Sequence, residues 1–145
     1  MTIKAIKSNQ SICYSFSSRW FKSLTSGKVK VFFRKVRPIR VPELTFFYVG
    51  SPIKQIIGYA YIKKIEKISL NKAKSFKSDG MISEEELESY FGTKKHIHSI
   101  WIENQFFFEK PFNIEKLQSA FDIFAPQSFF NVSTELETFL MGEDE

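Results

Sequence analysis

Cysteine is almost missing from this 145-residue chain. Cys13 stands alone, so no intramolecular disulfide and no multi-cysteine zinc site can form. Long apolar runs are missing as well; nothing approaches the ~18–20 residues that a membrane span requires. The early lysines of Met1-Thr-Ile-Lys-Ala-Ile-Lys7 have no apolar core behind them, which argues against a secretory signal. These absences predict a cytoplasmic, reduced protein without a membrane partner. Neither Gly-x-Gly-x-x-Gly nor a P-loop occurs, so nucleotide binding by those devices is excluded, and no cofactor is expected. Acids are scarce in one half only. Residues 1–77 hold 17 Lys/Arg against Glu43 and Glu66, whereas residues 78–145 hold four Lys against 14 acids. The overall charge of +5 therefore hides a polar molecule, and its basic half calls for an anionic partner.

What the chain has in excess is phenylalanine, 17 residues, which argues for a well-filled core and against disorder. A chain of this length buries roughly 68–70% of its unfolded surface as one domain. Residues 1–132 read as that domain and 133–145 as a short acidic tail with one helical turn. Ser11–Phe16 is β-prone. Ser17 or Ser18 can cap a two-turn helix with Trp20, Phe21 and Leu24 on one face and Gly27 as its stop. Lys28–Arg34 alternates: Val29, Val31 and Phe33 point one way, and Lys28, Lys30, Phe32 and Arg34 the other. Pro38 and Pro42 bracket a basic loop with Arg37 and Arg40. Leu44–Val49 is a strand, and Gln55–Ile68 a bent one in which Gly58 permits close backbone approach. Residues 69–80 read as a lysine-rich loop. Ser83-Glu-Glu-Glu86 is a capping box opening a helix with Leu87, Tyr90 and Phe91 inward and Gly92 at its end. Ile97–Phe108 is a strand with Ile100 and Ile102 opposite Trp101, and Asn113 caps a helix over Ile114–Phe121. Strands with short helices between them, without βαβ alternation, predict an α+β fold, most simply a small mixed barrel.

Four blocks carry a resemblance. They are Ser26-Gly27 with the strand ending Phe33-Arg34-Lys35; Tyr48-Val-Gly-Ser51-Pro52-Ile-Lys54 with Ile57-Gly58; Ile82-Ser-Glu-Glu with Tyr90-Phe91-Gly92; and Ala125-Pro126-Gln127-Ser128-Phe129. In this order and spacing they resemble the ASCH domain, a branch of the PUA-like barrels. The resemblance implies a barrel of about five to six strands with about three short helices packed around it. It also implies a cleft lined by Gly27–Arg34 and nearby loops, and a role in RNA or nucleotide binding. Similar chains include a nucleoside amidohydrolase and a ribonuclease. The family motif Gly-x-Lys-x-x-(Glu/Thr)-x-Arg is matched here at Gly27 and Arg34 but carries Val29 and Phe32 at its two chemical positions.

Other sites are thin. His96 and His98 share a strand face but lack a third ligand in register, so no metal site is expected. Cys13 would need a base and an electropositive setting to act as a nucleophile. The stronger candidate is the basic face: Lys28, Lys30, Arg34, Lys35, Arg37 and Arg40 around Phe32, where cations meet phosphates and an exposed ring stacks a base. Ser51, Lys54, Gln127 and Ser128 join it through the family blocks. The primary expectation is thus a binding module, leaning away from an enzyme. The alternatives are a hydrolase in which Lys28 or Lys30 replaces the missing lysine, and a protein–protein adaptor pairing basic and acidic halves.

Overall fold

The computed structural model describes residues 11–123 and 128–142. In chain order the elements are β1 (Ser11–Phe16), a 3-10 turn (Ser18–Trp20), α1 (Phe21–Thr25), β2 (Val31–Arg34), β3 (Leu44–Val49), β4 (Gln55–Ser69), α2 (Leu70–Ser75), α3 (Lys77–Gly80), α4 (Glu84–Phe91), β5 (His96–Asn113), α5 (Ile114–Phe121), β6 (Phe129–Asn131) and α6 (Thr134–Met141). The strands form one sheet in the order β2-β5-β4-β3-β1-β6. Every pairing is antiparallel except β1 with β3.

The sheet curls into a half-barrel, and its strands are apolar on both faces. On β1, Ile12, Tyr14 and Phe16 enter the inner cluster while Cys13 enters the outer one. On β3, Phe47 and Val49 point inward, and Leu44, Phe46 and Tyr48 outward. A sheet buried on two sides needs twice the apolar side chains of a half-exposed one, which accounts for the phenylalanine content. The outer cluster is covered by α5 and α6, and a third cluster, from Val31, Phe33, Ile97, Leu87 and Phe91, lies under α4. Curling brings edge strand β2 onto β1, far from it in sheet order. Phe32 packs edge-on against Tyr14 and Phe16, each at 5.0 Å.

Gly58 behaves as its position on a bent strand predicts. A Cβ there would lie 2.2 Å from the Phe106 carbonyl oxygen, so β4 and β5 approach more closely than any side chain permits. The Ser83 capping box is complete, with Glu86 N–H donating to Ser83 Oγ and Ser83 N–H to Glu86 Oε1, both at 3.0 Å.

Three expectations are corrected. The segment 69–80 is two short helices, α2 and α3, rather than a loop; Ser69 Oγ accepts the Lys72 N–H and caps the first. The acidic tail holds α6, whose Leu136 and Leu140 are buried in the outer cluster. Ser133 caps this helix, and the Ser11 hydroxyl donates to Glu137 at 2.6 Å. The alternation over 28–34 fails at its start. Lys30 gives its N–H to Asp79 and its carbonyl to Ile102, β2 begins only at Val31, and Val29 turns into the inner cluster while Val31 faces the third. No helix among the described residues is long and apolar enough to cross a membrane.

Candidate nucleic-acid interface

The site is built where β2 closes onto β1. Arg34, the last residue of β2, reaches across the seam: its Nη2 donates to the Ser15 carbonyl at 2.5 Å and its Nη1 to the Phe33 carbonyl at 3.1 Å. The guanidinium lies over three rings, 4.6 Å from Phe16, 5.0 Å from Phe32 and 5.4 Å from Tyr14. Such cation–π contacts orient the planar fork and offset part of its lost hydration. Burial pulls the guanidinium below its ordinary value, and the Tyr90 and Tyr14 phenols oppose that pull. Beneath it the Tyr14 hydroxyl is buried without a hydrogen-bond partner among the described residues. Burial pushes its pKa up to about 12, against the lowering influence of Arg34 and Arg37.

Two helical elements frame this seam. The 3-10 turn presents Trp20, with Arg19 stacked 4.0 Å from its ring and paired at 2.6 Å with Glu86 of α4. From α4, Tyr90 Oη accepts the Lys35 N–H at 3.0 Å, and the Lys35 ammonium lies 4.9 Å from the Tyr90 ring. The cleft has a volume of about 590 Å³ and is walled by Phe16, Trp20, Arg34, Lys35, Glu85 and Tyr90. A recess of about 370 Å³ on the far side of Arg34 and Tyr90 adds Ser15, Ser17 and Ser128. Arg34 and Lys35 face Glu85 and Glu86 across the cleft, so its charges nearly cancel. The Ser83 backbone N–H and then Arg19 hold the Glu86 carboxyl below its ordinary range, against burial. Aromatic walls with balanced charge suit a planar, largely neutral group better than a polyphosphate.

The predicted residues are therefore split. Arg34 and Lys35 line the cleft, and Ser128 lines the adjoining recess, where its carbonyl accepts the Ser15 N–H at 2.8 Å. Phe32 also lines the cleft, but only 4% of it is exposed; its ring is floor, not the open stacking face expected. Lys28 and Lys30 are exposed and absent from the walls. Arg37 and Arg40 line a separate recess of about 740 Å³ with Pro38, Ile39 and Phe129. Ser51 and Lys54 lie in the β3–β4 turn, where the Lys54 ammonium is 3.9 Å from Glu115. Gln127 lies outside the described residues. Trp20, Tyr90 and Glu85 were not anticipated at the site: Trp20 and Tyr90 read as core stripes of their helices, and Glu85 as part of a capping box.

A second row lies on the outer face of the sheet. Ser128 and Ser15 are bonded through their backbones, and Ser15 is in register with Tyr48. Burial, then Cys13 and Glu115, pushes the Tyr48 phenol up. The Ile114 N–H donates to the Lys54 carbonyl at 3.0 Å, which sets Glu115 beside Lys54. The remaining candidates stay apart from both places. Cys13 is fully buried, and burial pushes its thiol up, which removes the thiolate a nucleophile needs. His96 and His98 are on β5, and no group of three or more His, Cys, Asp or Glu able to hold a metal occurs among the described residues.

No family model matches the chain. Over 119 residues it is 30% identical to the ATP synthase subunit alpha of Ureaplasma parvum, a match that covers 77% of this chain but 15% of that protein's length. Over 110 residues it is 31% identical to an ASCH domain-containing ribonuclease of Zymomonas mobilis, covering 72% of each chain. The fold superposes on the crystal structure of ASCH from Zymomonas mobilis with a TM-score of 0.84 and 23% identity, covering 92% of this chain and 95% of that one. It also matches variants of that protein with a serine replaced by alanine or a tyrosine by phenylalanine, with TM-scores of 0.82 and 0.84. The shared sequence over most of both chains and the same curled sheet make this chain a member of the ASCH domain family.

Proposed function

We propose that the chain binds RNA, seating an unpaired base in the cleft between Trp20 and Tyr90 while Lys35, Arg37 and Arg40 meet the backbone phosphates. The ASCH fold is consistent with nucleic-acid binding. The observation carrying the finer reading is the aromatic cleft around Arg34, with two half-buried rings, a guanidinium fixed by two carbonyls and cations leading away from it. Base–aromatic stacking is worth roughly 1–3 kcal/mol per base, and phosphate contacts make affinity fall with salt. Fluorescence anisotropy with short single-stranded RNAs tests this. Trp20→Ala weakens binding by about 1–3 kcal/mol, and Arg37→Ala reduces the salt slope by about 0.7. Affinity for every RNA pool that is absent at low salt, or indifferent to salt, overturns the reading.

A second reading, hydrolysis of RNA or of a modified nucleoside, is favoured by one observation, the Lys54–Glu115 ion pair in the turn after β3, the strand on which Tyr48 stands in register with Ser15. A phenol, an ammonium and a carboxylate can share proton transfer and phosphate binding. The relative from Zymomonas mobilis is named a ribonuclease. Incubation with RNA and with acylated cytidines, comparing wild type with Lys54→Ala, Tyr48→Phe, Lys28→Ala and Lys30→Ala, tests it. Turnover lost in the first two variants supports the outer row. Turnover lost only in the last two returns the chemistry to the lysines beside Val29, and none in wild type removes the reading.

A further inference from the structure

The nine residues between β2 and β3 leave apolar side chains in water. Val36 is 61% exposed, Ile39 98% and Val41 42%, three of the seven large apolar residues most exposed among the described residues. The loop is anchored at its start, where the Lys35 N–H donates to Tyr90 Oη at 3.0 Å. Arg37 Nε donates to the Pro38 carbonyl at 3.0 Å, Pro38 and Pro42 restrict the backbone, and Pro42 is buried. Cations flank the apolar tip at Lys35, Arg37 and Arg40, and no acid occurs from Lys28 to Pro42. Its first residue, Lys35, is itself a wall of the aromatic cleft.

We infer that this loop is a wedge for stacked RNA. Ile39 enters a base step, Arg37 and Arg40 hold the phosphates on either side, and the released base reaches the Trp20–Tyr90 cleft. An exposed aliphatic tip between arginines matches the demands of a base stack, which offers an apolar interior between two anionic strands. Unstacking costs free energy, and an aromatic pocket a few residues away recovers part of it by restacking the displaced base. An anionic membrane would accept the same loop, but it would leave the adjoining cleft without a purpose. The inference rests on the cleft as the base site and adds the class of ligand, a paired or stacked RNA rather than a free single strand.

The test uses the full chain, a single-stranded RNA, and a hairpin of the same composition carrying 2-aminopurine in its stem. With wild type, hairpin binding raises 2-aminopurine fluorescence. Ile39→Ser, at a side chain that packs against nothing, removes the rise and weakens hairpin binding by roughly tenfold while single-strand binding stays unchanged. Trp20→Ala weakens both. If Ile39→Ser leaves the fluorescence rise intact, or wild type binds single strands with no rise on the hairpin, the wedge is overturned and the cleft reading survives. If neither RNA binds, both fall together. Binding to phosphatidylserine vesicles that needs Ile39, with no hairpin response, assigns the loop to a membrane and overturns the inference.

Discussion

At the scale of the residue, Arg34 and His98 show how position decides chemistry. Arg34 matches the last position of the family motif, yet its fork is spent largely on the Ser15 and Phe33 carbonyls, and it fastens the seam between β2 and β1. Arg34→Lys keeps the charge but loses the planar two-point contact and the stacking on three rings. It is expected to cost about 1.5–3 kcal/mol in urea unfolding, beyond any effect on RNA binding; a loss within error of zero removes the fastening role. His98 is opposite Arg34 on β2 and Lys67 on β4. Burial, then Arg37, Lys67 and Lys94, holds its imidazole below the ordinary value, and its Nδ1 is buried without a partner among the described residues. The unfolded chain therefore takes up the proton first. Stability is full above the ordinary histidine value of about 6.5 and declines as pH falls through it. Thermal unfolding between pH 5 and 8 should show that decline, and His98→Gln should flatten it; an unchanged profile in the variant assigns the decline to other groups.

At the scale of the element, helices were legible where capping chemistry marks them. Ser83 to Glu86 announces α4, and Asn113 announces α5, because a side-chain acceptor before an apolar stripe has few other uses. Ser83→Ala is expected to lower stability by about 1 kcal/mol. It also loosens Tyr90 and Glu86, so RNA affinity falls with it; a variant as stable and as tight as wild type contradicts the coupling. The helices α2 and α3 were not legible, and α6 only as a single turn. Their polar positions outnumber their buried ones, and only the sheet surface they cover makes Ala73, Leu136 and Leu140 core residues. Leu136→Ala should cost about 2–5 kcal/mol in denaturant unfolding, whereas a residue of a solvated tail would cost almost nothing.

At the scale of the whole molecule, three apolar clusters share strands. β1 and β3 belong to the inner and outer ones, and β2 and β5 to the inner one and the one under α4. Clusters with common strands unfold together. Trp20 reports on the inner cluster and the cleft, and Trp101 on the cluster under α4. Variants keeping only one tryptophan should give coincident urea transitions, and separated midpoints would show independent units. The sequence by itself determined the positions of β1, β3 and β4, the close approach at Gly58, the capped starts of α4 and α5 and the division of charge, and its motif blocks carried the resemblance to the family. All but the resemblance follow from spacing, backbone permissiveness or composition, which are local quantities. Only the tertiary structure decided what the cleft is made of. Curling turned Phe32 inward, because β2 meets β1 across the seam, and it brought Trp20 and Tyr90 from two separate helices to the same opening. It also left Arg37 and Arg40 lining a recess of their own and Ser51 and Lys54 in the β3–β4 turn, outside the cleft walls. Alternation along one strand says which side chains share a face, but not which face the closing sheet will bury.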